Sequence, residues 1–324
     1  MGSRSNFPTP GLISWLAAAS AVALLALSCS SAPKPPDAVF DVKNKAADYS
    51  KLADGFMADA QYESAEKYYR EALQADSSVD NLAGVSVAHA SLGRVYLAVN
   101  RPDDARTEFT SALEYATMAH SGPDASLATS GLGEVMYAHG EKEEALAAFE
   151  SAAALAGKDA KSLAVALHDA GVAKAALGRT EEAMSDLQRA SSLNQELKRW
   201  TELASNRYVM ASILGTSGRL QEALAMALKA LEADKNAENG RGVAQDLEAL
   251  ARLSYKLGQK ETAWNYWRRA FDSSLSVEEP SVVRDSLVAL AALADELGKP
   301  DEKARYSALL AKLDAAQAAS QAGK

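Results

Sequence analysis

Few residues of this chain could do chemistry unaided. There is one cysteine, Cys29, and there are four histidines, at positions 89, 120, 139 and 168. A lone thiol cannot close an internal disulfide. No histidine belongs to a close His/Cys/Asp/Glu cluster with metal-ligand spacing, and HExxH is absent. No metal or cofactor is therefore expected. His168 and Asp169 are adjacent, but neighbours on a helix point about 100° apart and make a poor acid/base pair. His89 falls at a regularly recurring apolar position, so a packed role is expected for it. The pairs Glu143/Glu144 and Glu181/Glu182 read as solvated helix starts rather than catalytic carboxylates. No phosphate-binding loop or GxSxG elbow follows a strand, because no strand pattern is found. An enzyme is not expected.

The elements that carry these residues announce themselves by spacing. Alanines recur at Ala65, Ala105, Ala145, Ala183, Ala223 and Ala263, with Lys303 in the seventh slot, in steps of 40, 40, 38, 40, 40 and 40 residues. Large residues follow several of them four positions on: Tyr69, Phe109, Phe149 and Trp267. Self-similarity at such a period means stacked helical hairpins rather than a globule with one pocket. Small residues at Ala53, Gly93, Gly133 and Gly171 allow helices to approach closely, since glycine inside a helix otherwise costs about 1 kcal/mol against alanine. Gly140, Gly178, Gly218, Gly258 and Gly298 mark helix ends. The chain has 324 residues and a formal net charge of −9, with no basic stripe, which is a poor match to nucleic acid.

The N-terminus reads as an address. Arg4 precedes an apolar run from Gly11 to Leu27, which closes on Leu25-Ala26-Leu27-Ser28-Cys29. The run resembles the signal of bacterial lipoproteins, although Ala26 stands where that pattern has leucine. The resemblance implies a cleaved segment 1–28, lipid on Cys29, and attachment to the outer membrane facing the periplasm. The alternative is an uncleaved anchor helix. A Pro-rich linker is expected over 29–41.

The repeat itself resembles the tetratricopeptide repeat, whose large, apolar and small slots are filled in the first unit by Tyr49, Leu52, Ala53 and Phe56, then Ala65, Tyr69 and Ala72. The second unit has His89, Leu92, Gly93 and Tyr96, then Ala105, Phe109 and Ala112. The match extends over about seven units. It implies an all-α, right-handed superhelix over 42–315, with a flexible tail at 316–324. The seventh unit keeps the pattern only in its first helix, because Lys303 and Ser307 occupy the second helix's small and large slots. The family's common period is 34 residues, whereas the step here is mostly 40, as in the kinesin light chain branch. Six further residues lengthen each hairpin by roughly 4–5 Å per helix.

By the same resemblance the first helices line a concave groove for a protein or peptide. They would present Arg94, Glu134, Tyr137, His168, Tyr208, Arg252 and Tyr255 there. The Lys/Asn carboxylate clamp of some members is missing at these slots, which disfavours capture of an acidic C-terminal tail. The function expected is a membrane-anchored scaffold for an envelope complex. A ligand-binding accessory of a solute transporter is the alternative, with a small-molecule ligand less expected, and an enzyme is a distant third.

Overall fold

The computed structural model describes residues 37–277 and 279–322. The expected signal, Cys29 and most of the linker lie outside them. Among the described residues there are fourteen helices and no strand. We number them α1 (Asp37–Ala58), α2 (Tyr62–Ser77), α3 (Leu82–Ala98), α4 (Pro102–Met118), α5 (Gly122–Ala138), α6 (Lys142–Ala156) and α7 (Ala160–Ala176). Next come α8 (Thr180–Glu196), α9 (Trp200–Thr216), α10 (Leu220–Asn236), α11 (Gly240–Lys256), α12 (Lys260–Ser276), α13 (Pro280–Glu296) and α14 (Pro300–Ala322). They pair as seven hairpins. No helix of the described residues is long and apolar enough to cross a membrane.

Turn chemistry sets the phase. Each first helix ends in a left-handed residue: Ala60, Asn100, Gly140, Gly178, Gly218, Gly258 and Gly298. The next amide reaches back five residues, as in Arg101 N–H to Tyr96 O (2.8 Å) and Arg179 N–H to Lys174 O (2.8 Å). The following helix then opens on acids that suit its positive end, such as Asp103 and Asp104.

Inside each hairpin the small slots bring the helices together. Ala65, Ala105, Ala145, Ala183, Ala223 and Ala263 are fully buried, and Tyr69, Phe109, Phe149 and Trp267 are buried beside them. A Cβ on Gly93 would sit 2.8 Å from the Phe109 ring, and one on Gly133 would sit 2.5 Å from Phe149. The glycines are thus the space into which those rings fit.

The stack curves because its two layers differ. Successive first helices touch one another, most broadly across α3, α5 and α7, whereas successive second helices do not. First helices therefore form the inner, shorter arc and face the groove. The curve comes far round: one gap is bordered both by Ala58 and Asp59, at the first hairpin's turn, and by Glu238, Arg241 and Val277, at the start and end of the sixth hairpin.

Two expectations are corrected. Helix α1 starts at Asp37, inside the expected 29–41 linker. The last hairpin is complete, as seven units require, but its α14 continues to Ala322 through most of the segment expected to be a flexible tail (316–324); its alanines are strong helix formers. The anchor of α14 lies one position before the repeat's large slot, which polar Ser307 occupies. Ser307 is exposed, while Tyr306 is buried and packs edge-on against Trp264 (5.7 Å) and Phe271 (6.3 Å).

Candidate functional site

The groove's floor is made by first helices, each of which turns one face to the inner arc. Three hollows follow one another along it. The first reaches from Lys43 and Lys51 of α1 to Val87 of α3. The second shares Asp54 and Val87 with it. The third shares Arg94, Leu127 and Lys161 with the second and continues to Asn206 of α9. Shared walls make one channel across five hairpins.

The third hollow, about 290 Å³, is the most structured. Three of the expected residues, Arg94, Glu134 and His168, line it together. His168 Nδ1 lies 2.6 Å from Asn206 Oδ1. An amide oxygen only accepts, so the ring's proton sits on Nδ1 and Nε2 is left as an acceptor. Burial lowers the His168 pKa, and the bond to Asn206 opposes this only in part. The ring is therefore neutral near pH 7. Burial raises the Glu134 carboxyl, and Arg94 offsets part of that rise. Asp169 is pushed well above the ordinary carboxylate range by burial and then by the nearby Glu134 charge. The Asp169 Oδ2 and Ser130 Oγ atoms are closed off from solvent, and Ser130 offsets part of the rise at Asp169.

The remaining expected residues are elsewhere. Tyr208 and Arg252 border a separate hollow with Glu248. Arg252 binds Asp285 (2.8 Å) and Glu248 and lies over the Trp267 ring. Tyr255 donates to Glu296 Oε1 at 2.9 Å. Tyr137 packs on the cluster of Ala145 and Phe149 rather than in the recess. His89, expected to be packed, is bound to Glu108 (2.7 Å) and stacked on Tyr115. Among the described residues no group of three or more His, Cys, Asp or Glu side chains could hold a metal.

Sequence reasoning missed Asp169 and Asn206. A signal for Asn206 existed: residues 88, 128, 166, 206, 246 and 286 share one buried slot, filled first by alanine three times and then by Asn206, Asp246 and Ser286. A polar residue in a slot that alanine otherwise fills marks a departure from pure packing. Asp169 was set aside as a partner for His168, whereas its neighbours come from α5.

Comparison with known proteins matches this geometry. Three family models, each described as tetratricopeptide repeat, match residues 46–118, 90–160, and 164–197 together with 204–236, more than half of the chain. Among solved structures, BtubC from P. vanneervenii is similar at 16% identity and a TM-score of 0.59, covering 65% of this chain and 90% of that one. A Rap protein complexed with Competence and Sporulation Factor is similar at 16% identity, TM-score 0.61, over 85% of this chain and 76% of that one. Aspartyl phosphate phosphatase F from Bacillus subtilis is similar at 13% identity, TM-score 0.57, over 86% and 72%. At such identities the likeness is one of fold. No curated protein matches the chain in sequence.

Proposed function

We propose a function from one premise, that this chain belongs to the tetratricopeptide repeat family: it is a scaffold that holds an extended segment of a partner protein in its groove. The observation that carries this reading is the run of three hollows with shared walls from Lys43 to Asn206. An extended chain spans roughly 3.3 Å per residue, so a channel across five hairpins suits a peptide better than a compact metabolite. The Rap protein of similar fold is likewise complexed with a factor. In our reading the scaffold is tethered by lipid on Cys29, faces the periplasm, and recruits its partner to a complex of the cell envelope. Support for the tether is the apolar run that ends at the chain's one cysteine.

The test is photo-crosslinking in cells, with the reactive residue placed at Val87 or Leu127 in the channel, or at exposed Leu228 on an outer helix. Adducts of one size at the channel positions and not at Leu228 are expected. Equal labelling at all three would remove the groove from the account. Palmitate incorporation that disappears in Cys29→Ala tests the tether.

A further inference from the structure

One slot of the first helices changes character along the groove in step with the packing. Stepping by the repeat, it is small at Ala47, apolar at Val87, Leu127 and Val165, and polar from Ser205 to Asp285. Val87 is 42% exposed, and Leu127 and Val165 are half-buried. All three line the hollows that share walls. They belong to α3, α5 and α7, the first helices that touch one another most broadly. Helices in contact lie about 8–10 Å apart. The floor therefore carries one apolar side chain per hairpin, over three hairpins, at about that interval.

The walls beside this row suit a neutral backbone. In the third hollow Arg94, Lys161 and Arg199 stand with Glu134 and Glu202. Arg199 is committed to Glu202, while Arg94 and Lys161 make no ion pair among the described residues. Glu134 and His168 Nε2 are left as acceptors. A charged side chain of either sign meets its like here, whereas peptide groups find donors for their carbonyls and acceptors for their amides. An α-helix bonds its peptide groups internally and gains nothing from such walls. A β-strand returns to one face every second residue, at roughly 6.6 Å, which is too short for the floor's interval. A polyproline II chain has three residues per turn and a rise of roughly 3.1 Å. Its every third side chain therefore points the same way at about 9 Å, and its peptide groups are all free.

We propose that the channel holds a partner segment in the polyproline II conformation, with apolar side chains at every third residue seated on Val87, Leu127 and Val165. Seven residues carry three such side chains over roughly 19 Å, which matches two helix intervals from α3 to α7. Arg94 and Lys161 donate to the segment's carbonyls, and Glu134 and His168 Nε2 accept from its amides. Past Val165 the slot turns polar at Ser205, so the apolar register ends at α7. No covalent bond changes. The inference rests on the reading of the groove as the place where a partner segment lies.

The experiment is calorimetry on the purified full chain with three peptides, each blocked at both ends and each carrying three leucines. In the first, a heptapeptide otherwise of proline, the leucines stand at every third residue. The second reorders the same residues so that they stand at every second. In the third, an alanine-based helix, they stand at every seventh. The first should bind about tenfold or more tightly than either of the others. In Leu127→Ser and in Val87→Ser, both checked for folding by circular dichroism, that lead should shrink to within about twofold, whereas Leu228→Ser on an outer helix should leave it unchanged. Equal binding of all three peptides, a lead for the second or third, no binding by any, or an undiminished lead in Leu127→Ser would each overturn the proposal. If groove crosslinking still captures one partner in those cases, the scaffold reading stands while this inference falls.

Discussion

Asp246 lies buried on α11 beside Asp234 at the end of α10. Burial, with the charge of Asp234 adding to it, pushes the Asp246 carboxyl up to about 8. In the unfolded chain it would titrate near about 4. Between those limits the native state holds a proton that the unfolded state has lost. Stability is thus greatest below about pH 4 as far as this group is concerned, and it declines as pH climbs through the window to about 8. Glu134 and Asp169 are displaced in the same direction and add to the slope. Urea midpoints should fall from pH 5 to pH 8.5. Asp246→Asn should flatten part of that fall and raise stability at pH 8.5 by about 1–3 kcal/mol, since it removes a buried charge with no cation to meet it. A midpoint at pH 8.5 no higher than the parent's would contradict this. Gly133 poses the opposite problem. Alanine there gains about 1 kcal/mol of helix propensity, yet its Cβ would lie 2.5 Å from Phe149. Gly133→Ala should therefore lower stability by a net of about 1–3 kcal/mol in thermal unfolding.

Among elements, α6, α7 and α8 are joined in a way the others are not. Lys174 fills a slot for a large residue and is buried, with Nζ 2.7 Å from Asp186 Oδ2 and 3.3 Å from Glu150 Oε1. Burial alone would lower its pKa, but the bonds to Asp186 and Glu150 outweigh it and the net shift is upward. Lys174→Ala leaves Asp186 only the longer contact to exposed Arg189 (3.7 Å) and should cost about 3 kcal/mol, whereas the paired change Lys174→Met with Asp186→Leu should be close to neutral. A double-mutant cycle by urea denaturation decides between them.

The same element shows why legibility was uneven. Hairpin phase was readable because it depends on residues local in sequence: a glycine such as Gly178 at a helix end, acids just after it, alanine at the crossing. The Lys174 triad was not, since Glu150 lies a hairpin away and nothing in the spacing pairs them. The α14 anchor was hidden for another reason. A terminal helix has neighbours on one side only, so Tyr306 could turn inward where interior hairpins hold their aromatic one position later. At the site, Arg94, Glu134 and His168 were readable from slot number, while Asp169 and Asn206 depend on three-dimensional neighbours across α5, α7 and α9.

At the scale of the molecule, curvature follows from first helices that touch and second helices that do not. It brings the turn at Asp59 opposite Glu238, far along the chain. Dyes at Asp59→Cys and Glu238→Cys, in a Cys29→Ser background, should show strong energy transfer in the native state that collapses in urea. Transfer as weak in buffer as in denaturant would refute the winding. Because each hairpin contacts only its neighbours, unfolding need not be a single transition, and circular dichroism should report a broader one than a compact domain of equal length.

That gap between Asp59 and the late hairpins makes the body resemble a split washer, open along one seam. A slender strand slips through the slit sideways, while a bulky guest must be threaded from an open mouth or spring the coil apart. Because each hairpin packs only on its neighbours, flexure in such a stack is shared among its junctions. On the reading of the groove proposed above, admission to the bore would be set by the stiffness of the spiral, and a substitution at a distant junction would change how fast a guest enters without touching it.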